Sequence, residues 1–220
     1  MSITLEQVKK SEEITSYIRK ADESLSALGF TEHSFAHVTK CAEVAARILT
    51  QLGYTPKEVE LARIAAYMHD IGNVVNRHDH ALSGATMAFR ILDKMGMEPP
   101  DVAAVITAIG HHDDSTAYPV NAIAAALILA DKTDVRRSRV RNKDMSTFDI
   151  HDRVNYSVER SEVLLDLPGR TVTLSLSINT EVCAVMDYFE IFLQRMLLSR
   201  KAAETLDLKF RLEINGQILL

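Results

Sequence analysis

The sequence has few cysteines, no long apolar run and no excess of positive charge, and each shortage excludes a class of protein. Its two cysteines, Cys41 and Cys183, are too far apart for a zinc motif and form no disulfide framework, so we expect buried free thiols. No stretch reaches the roughly 18 consecutive apolar residues of a membrane span. Residues 1–7 lack the apolar core of a signal peptide. We therefore expect a cytoplasmic protein with no membrane partner.

The charge balance argues against a protein that coats nucleic acid. The chain has 25 Lys and Arg against 30 Asp and Glu, a formal net charge of −5, whereas general binding to phosphate backbones needs clustered positive charge. With 220 residues, of which 47 % are hydrophobic, the chain can bury one substantial core and carry a small second unit. We expect the larger unit at residues 1–150 and the smaller at 151–220.

Helical patterns dominate the first two thirds of the chain, because apolar residues recur there every three to four positions. Thr55, Pro56 and Glu58 form a capping box with proline at the first helical position, and Asn121 is a second N-cap candidate. The predicted helices cover residues 5–28, 34–52, 56–69, 81–94, 99–109 and 122–130. Converging helix ends in such a bundle can build a buried polar cavity.

After residue 150 the pattern becomes alternating, which is typical of strands with one buried face. Strands are predicted at 171–178 and 208–214, with an amphipathic helix at 181–203 between them. Two turn signals are Pro168-Gly169 and Asn215-Gly216. The predicted fold class is therefore mainly α: a helical bundle with a small C-terminal α+β subdomain, in which an antiparallel sheet packs on one helix. This tail could cover the core, contact substrate or dimerise, and we expect a homodimer.

The most informative local feature is the pair His69-Asp70 at the end of an apolar helix. A buried ionised carboxylate is costly unless a cation or a full set of hydrogen bonds compensates it, and a divalent metal would do so. Five of the eight histidines join two aspartates as candidate ligands, all of residue types that hold first-row divalent metals: His37, His69, His80, His111, His112, Asp70 and Asp131.

The order and local context of these residues resemble the HD-domain metal-dependent phosphohydrolases. The motifs are His-x-x-Lys-x-Ala-x-x-Ala at His37, His-Asp-Ile-Gly at His69, and Ala-Asp-Lys around Asp131, within residues 30–140. The resemblance implies a helical HD domain in which His37, His69, Asp70 and Asp131 hold a first metal.

The remaining histidines resemble the two-metal branch of the same superfamily. The spacing from His80 to Gly84 and the pair His111-His112 carry this likeness. It implies a dinuclear centre in which Asp70 bridges to a second ion bound by His80, His111 and His112. The cofactors implied are two divalent metal ions, with iron or manganese favoured and zinc, nickel, cobalt or magnesium as alternatives.

The resemblance implies hydrolysis of a phosphoester of a nucleotide or another small phosphorylated metabolite. A hydroxide held between two metal ions can attack phosphorus while the ions neutralise charge on the phosphoryl oxygens. Asp70, Lys132 and Asp113 are the catalytic candidates. Lys132 and Arg136, in a basic segment after Asp131, are candidates for binding the substrate phosphate, although a helix end also favours such positive charge.

The sequence departs from the cyclic di-GMP phosphodiesterase pattern in two places. That branch has a lysine after His-Asp-Ile-Gly and a Gly-Tyr-Pro loop, where this chain has Asn73 and Ala117-Tyr118-Pro119. The missing lysine removes a phosphate contact, so cyclic di-GMP is a secondary candidate. Two other functions stay open: an HD-type di-iron oxygenase that oxidises its substrate with O₂, and a non-catalytic nucleotide-binding regulatory module.

Overall fold

The fold is that of a computed structural model, which describes residues 3–114 and 116–219. The helices are α1 Leu5–Lys9, α2 Glu12–Ala27, α3 Phe35–Gln51, α4 Pro56–Met68, α5 His80–Lys94, α6 Pro99–Gly110, α7 Ala122–Lys132, α8 Ile150–Ser157 and α9 Val185–Thr205. Short 3-10 turns lie at Ile71–Val74, Arg137–Arg139 and Met145–Thr147. The strands are β1 Val158–Asp166, β2 Thr171–Ile178, β3 Lys209–Ile214 and β4 Gln217–Ile218.

Two predicted caps fix the starts of α4 and α7. The Thr55 hydroxyl accepts from the backbone of Glu58, and the Glu58 carboxylate accepts in return from the backbone of Thr55 at 2.9 Å. The Asn121 side chain accepts from the backbone nitrogen of Ala124 at 2.9 Å. Each cap satisfies amide groups that a helix start leaves unpaired. Helix α4 ends at Met68 and is capped by His69, and α7 ends at Lys132 just after Asp131, so two predicted metal ligands lie at helix C-termini.

The single helix predicted over residues 5–28 is wrong, because the structure has two helices there. Ser11 breaks the run and caps α2, its hydroxyl accepting from the backbone nitrogen of Ile14. Leu5 and Val8 on α1 are buried together with Ile14 on α2. The apolar pattern therefore continues across the break, and this continuity hides it in the sequence.

Helix α7 is the central helix of the bundle, with α3, α4, α6 and α9 packed around it. Every residue from Ile123 to Ala130 is buried, so the helix is apolar on all sides, as expected for one that is enclosed by others. Its last turn brings Asp131 and Lys132 into the middle of the molecule. No helix in the described ranges has the length and apolarity to cross a lipid bilayer.

The C-terminal sheet has the strand order β1-β2-β3-β4. Strands β1 and β2 are antiparallel, as are β3 and β4, but β2 and β3 run parallel. The predicted purely antiparallel sheet is therefore wrong, since the sheet is mixed. The reason is the connection: α9 carries the chain from the C-terminal end of β2 back to the N-terminal end of β3, which lies beside the start of β2, and a parallel pair requires such a crossover.

The fold class, a mainly helical protein with a small C-terminal α+β part, is confirmed. The boundary at residue 150 stays a prediction. Helix α9 packs on β3 and also on α7 and α8. Its buried side chains include Tyr188, Phe192 and Met196. The tail thus lies against the helices that carry the predicted ligands, and Arg195 on α9 reaches that region.

Candidate metal centre

Four imidazoles converge at the centre of the bundle from four separate segments. His37 lies in the first turn of α3, His69 caps the end of α4, His80 begins α5, and His112 follows α6. All four are buried. Their rings form a chain of edge-to-face neighbours, with centroids 5.2 Å apart for His37 and His69, 4.9 Å for His69 and His112, and 5.0 Å for His80 and His112.

The Nδ1 atom of each of these rings lies beside an acceptor outside the cluster. The pairs are His37 with Asp134 Oδ2 at 2.8 Å, His69 with the Ala66 carbonyl at 2.7 Å, His80 with the Arg77 carbonyl at 3.1 Å, and His112 with the Ile109 carbonyl at 2.6 Å. An unprotonated oxygen can only accept, so Nδ1 carries the hydrogen in each ring. The Nε2 atoms then face the cluster, where a metal could bind them, which is how the partners of metal-binding histidines orient them.

Two carboxylates lie among the Nε2 atoms. Asp70 Oδ2 is 3.3 Å from His69 Nε2 and 3.6 Å from His37 Nε2, while Asp70 Oδ1 is 3.5 Å from His80 Nε2. Asp131 Oδ1 is 3.3 Å from His37 Nε2. Asn73 donates to Asp70 Oδ1 at 2.8 Å, but within residues 3–114 and 116–219 the buried Oδ2 atom has no hydrogen-bond donor. Such an orphaned carboxylate oxygen is costly, and a bound cation would satisfy it.

The ligand atoms form overlapping groups that could each hold a cation. The groups whose atoms lie within 4.8 Å of one another include His37 with His69 and Asp70, His69 with His112 and Asp131, and Asp70 with His80 and His112. Asp70 belongs to two of them, so its two oxygens face different sets of histidines. Imidazole nitrogen with carboxylate oxygen is a donor set that suits first-row divalent metals, and the residues therefore fit one ion or two.

The structure does not bring His111 into this cluster, although it was a predicted ligand. Among the residues that the structure describes, His111 belongs to none of the groups that could hold a cation. Consecutive residues at a helix end point about 100° apart, so His111 and His112 face different directions. His112 faces the cluster, while the backbone carbonyl of His111 accepts from Tyr118.

The other predicted site residues lie around the cluster in different roles. Lys132 Nζ is 2.7 Å from Asp131 Oδ2 and 3.0 Å from Asp114 Oδ1, so it is paired rather than free for a phosphate. Asp113 Oδ1 is 3.8 Å from His80 Nδ1 at the rim of the cluster. Arg136 pairs with Glu32 and with Asp134, each at 3.0 Å, and therefore acts on the cluster only through Asp134.

The electrostatics of the cluster favour added positive charge. Burial, together with the nearby His69 and Lys132, lowers the pKa of His112 to about 3, so this ring is neutral at neutral pH. Burial alone would raise the pKa of Asp70, but its contact with His69 holds it well below the usual range. Burial would lower the pKa of His69, yet the two carboxylates raise it. A proton on His69 thus supplies positive charge at the place where a bound metal ion would supply it.

Three arginines near the cluster were missed by sequence reasoning. Arg77 Nη1 lies 3.3 Å from His80 Nε2, and its guanidinium is over the ring of Phe30. Arg195 Nε lies 3.2 Å from Asp114 Oδ2. Arg139 donates to the Asp134 carbonyl at 2.8 Å. The three-residue spacing from Arg77 to His80 could have predicted that Arg77 lies near the cluster, whereas Arg195 is brought there only by the packing of α9.

A cavity of about 290 Å³ opens beside the cluster, between the segment after α2 and helices α8 and α9. Four residues line both this cavity and the narrow polar space over the cluster: His33, Arg77, Arg139 and Arg195. His33, also missed, stacks edge-on against His37 with centroids 5.4 Å apart. A small molecule in the cavity could therefore reach the ligand atoms of Asp70 and Asp131.

Comparison with known proteins adds a family and two relatives. A family model described as "HD domain" matches residues 34–153, more than half of the chain. An uncharacterised protein, MJ1020 of Methanocaldococcus jannaschii, is 26 % identical, with 72 % of this chain and 70 % of that protein covered. Ribonuclease Y of Cutibacterium acnes is 27 % identical over 69 % of this chain but only 26 % of its own length.

Proposed function

Since this chain belongs to the HD-domain family, we propose that it is a metal-dependent phosphohydrolase that acts on a small phosphoester. The observation that carries the proposal is the arrangement of Asp70: its buried Oδ2 atom has no donor among the described residues, and it lies among Nε2 atoms whose rings are all fixed by Nδ1 contacts. A cluster in which carboxylate and imidazole lone pairs face one another is suited to binding cations rather than to a purely structural role.

We propose that His37, His69, Asp70 and Asp131 would hold a first metal ion, and that Asp70, His80 and His112 would hold a second. Ions bound there would lower the pKa of water and neutralise charge on phosphoryl oxygens. Iron or manganese is the favoured identity. Lys132 positions Asp131, because its Nζ atom bridges that carboxylate and Asp114.

The chain's own cations would hold the substrate phosphate. Arg77 and Arg195 line the space directly over Asp70 and Asp131, and a guanidinium donates to phosphate with paired N–H groups. Asp113, half-buried at the rim near His80, stays the candidate for acid-base chemistry on the leaving group.

The direct test is reconstitution of metal-depleted protein with single divalent metals, followed by assays on defined esters. The panel should contain p-nitrophenyl phosphate, bis-p-nitrophenyl phosphate and nucleoside monophosphates. Diesters are included because one relative is named a ribonuclease. We expect turnover of at least one ester with manganese or iron, and none without metal.

The Asp70→Asn variant separates metal binding from general damage, since it keeps the size of the side chain. We expect it to lose both bound metal and hydrolysis while its circular dichroism spectrum is unchanged. Hydrolysis that survives loss of the metal would contradict the proposal. So would a fully metal-loaded wild-type protein that turns over no ester in the panel but consumes O₂ with one of its nucleotides.

A further inference from the structure

The cavity beside the metal centre carries opposite charge at its two ends. Arg77 and Arg195 lie at the end that joins the cluster, while Asp149, Asp152 and Asn155 of the α8 region lie at the other. At about 290 Å³ the cavity is at or just below the lower limit of the roughly 300–1,000 Å³ that ligand sites usually have. It therefore suits a small metabolite and not a polynucleotide.

The basic end has hydrogen-bond donors to spare. In the described part of the chain Arg77 donates through Nη1 alone and Arg195 through Nε alone, although a guanidinium has five N–H groups. Each guanidinium lies over a phenylalanine ring, at 5.6 Å from Phe30 for Arg77 and 4.7 Å from Phe192 for Arg195. These contacts hold the two guanidinium groups in place without using their remaining N–H donors.

The remote end has hydrogen-bond acceptors to spare. Asn155 is only 5 % exposed, and its amide nitrogen donates to the His151 carbonyl at 2.9 Å. No donor among the described residues lies at its amide oxygen, and Asn155 is one of the residues that line the cavity. Asp149 uses one carboxylate oxygen to cap α8 by accepting from the backbone of Asp152 at 2.8 Å. Burial and the neighbouring Asp149 raise the pKa of Asp152, as happens where two carboxylates crowd a common space.

We infer that this cavity binds a phosphomonoester whose leaving group carries an N–H donor at the end remote from the phosphate. The phosphate lies on Arg77 and Arg195, and the N–H group is received by Asp149, Asp152 and Asn155. The inference rests on the proposed function for the position of the phosphate. Two ligand sources share this chemistry: the exocyclic amino group of a nucleotide base, and the ammonium group of an aminoalkyl phosphate.

The test is isothermal titration of the metal-free and the manganese-loaded protein with two matched pairs of ligands. CMP and the 5′-monophosphate of pyrimidin-2-one riboside differ only by the 4-amino group of the base, and phosphoethanolamine differs from ethyl phosphate by one ammonium group. We expect the amino member of one pair to bind about tenfold more tightly, since the other member leaves the acceptors of the remote end, including the buried Asn155, without a donor. The pair that shows the preference identifies the source.

The double variant Asp149→Asn/Asp152→Asn should reduce this preference to about one, because asparagine offers donors as well as acceptors. Asparagine is also a good helix N-cap, so α8 keeps its start. The control is Asp144→Asn, at an exposed carboxylate whose hydrogen-bond partner among the described residues is Ser146, and it should keep the wild-type preference.

Equal affinity within both pairs, or a preference that the double variant retains, would overturn the inference. These outcomes are distinguishable from failure of the proposed function. A protein with the expected preference that hydrolyses none of the esters keeps this cavity assignment and contradicts the hydrolase. A protein that binds both members of each pair with equal affinity and hydrolyses them at equal rates does the reverse.

Discussion

The Nε2 atoms of His80 and His112 lie 3.1 Å apart, and the opposite nitrogen of each ring lies against a backbone carbonyl. With hydrogens on both Nδ1 atoms, two lone pairs face each other across this gap unless one ring is protonated. Burial keeps the pKa of His112 at about 3 and also lowers that of His80. A cation shared by the two rings would remove the repulsion.

The variant His112→Gln should therefore lose the second metal ion and keep the first. We expect the manganese content to fall from two ions per chain to one, measured by mass spectrometry of the metal after gel filtration, with hydrolysis reduced at least 100-fold because the bridging position needs both ions. His78→Gln is the matched control, since His78 is 85 % exposed. An unchanged metal content in His112→Gln would refute the second site.

The metal-free protein should become less stable as the pH falls below about 6.5. The pKa of His112 drops from an unfolded value near 6.5 to about 3 on folding, so the unfolded chain binds more protons across that window. The stabilisation is complete above pH 6.5 and is lost progressively toward pH 3, at up to about 1.4 kcal/mol per pH unit for one group. Urea unfolding in a chelator at pH 7, 6, 5 and 4 measures it.

Removing this titration should flatten the profile. In His112→Gln the free energy of unfolding should fall less steeply with pH than in the wild type, whatever its value at pH 7. His78→Gln serves again as the control and should keep the wild-type slope. Equal slopes for wild type and His112→Gln would show that this ring does not titrate with the lowered pKa.

Asp134→Asn should weaken metal binding without removing a ligand. Asp134 Oδ2 receives His37 Nδ1 at 2.8 Å, and its other oxygen binds Lys40 at the same distance. Loss of such a partner of a metal-binding histidine costs about 10–100-fold in metal affinity. Competition with a fluorescent chelator measures the affinity. An affinity equal to wild type would show that Asp134 serves only the cations around it.

Gly72→Ala should disrupt the structure around the centre. An added Cβ at Gly72 would meet Ser83 Oγ at 2.7 Å and the backbone of His80 and Gly84 even more closely. Overpacking of this kind costs about 1–3 kcal/mol or more. The control is Gly110→Ala, where the new Cβ would meet only Ala85 at an ordinary 3.7 Å. Thermal unfolding should show a lower midpoint for the first variant and no loss for the second.

Arg195→Gln should raise KM for a phosphoester much more than it lowers kcat. The guanidinium lies over the cluster and is held by Asp114 and Phe192, and loss of a charged hydrogen bond costs about 1.5–3 kcal/mol. We expect an increase in KM of roughly ten- to 100-fold. Arg200→Gln, at an exposed position on the same helix, is the control. Equal effects of the two variants would exclude Arg195 from the site.

The helices that hold the ligands were predictable because their ends carry local signals. The helix starts are marked by side-chain hydrogen bonds between residues close in sequence, which involve Thr55, Glu58 and Asn121. Strand β1 lacks a comparable signal, and helix α8, although Asp149 caps it, is only eight residues long. The burial of β1 does not alternate cleanly, and its partner β2 is what holds it extended.

Only the site residues that belong to the family motifs could be predicted from the sequence. His37, His69, Asp70 and Asp131 could be grouped by resemblance, but Arg195 reaches the cluster through packing of α9 on α7, and no spacing in the sequence encodes that contact. The parallel direction of β3 relative to β2 could have been predicted, since the helix predicted between the two strands is itself the crossover that parallel strands require.

Because α9 packs against the bundle, the residues proposed to bind metal and the residues proposed to select the substrate come from different parts of the chain. The metal-binding candidates that the structure brings together lie between His37 and Asp131, whereas the remote wall of the cavity and Arg195 come from residues 149–195. If the proposed function holds, we expect substitutions in the later stretch to alter which ester is accepted while every candidate ligand stays in place. A relative with the same motifs and a different tail should share the metal requirement and differ in substrate.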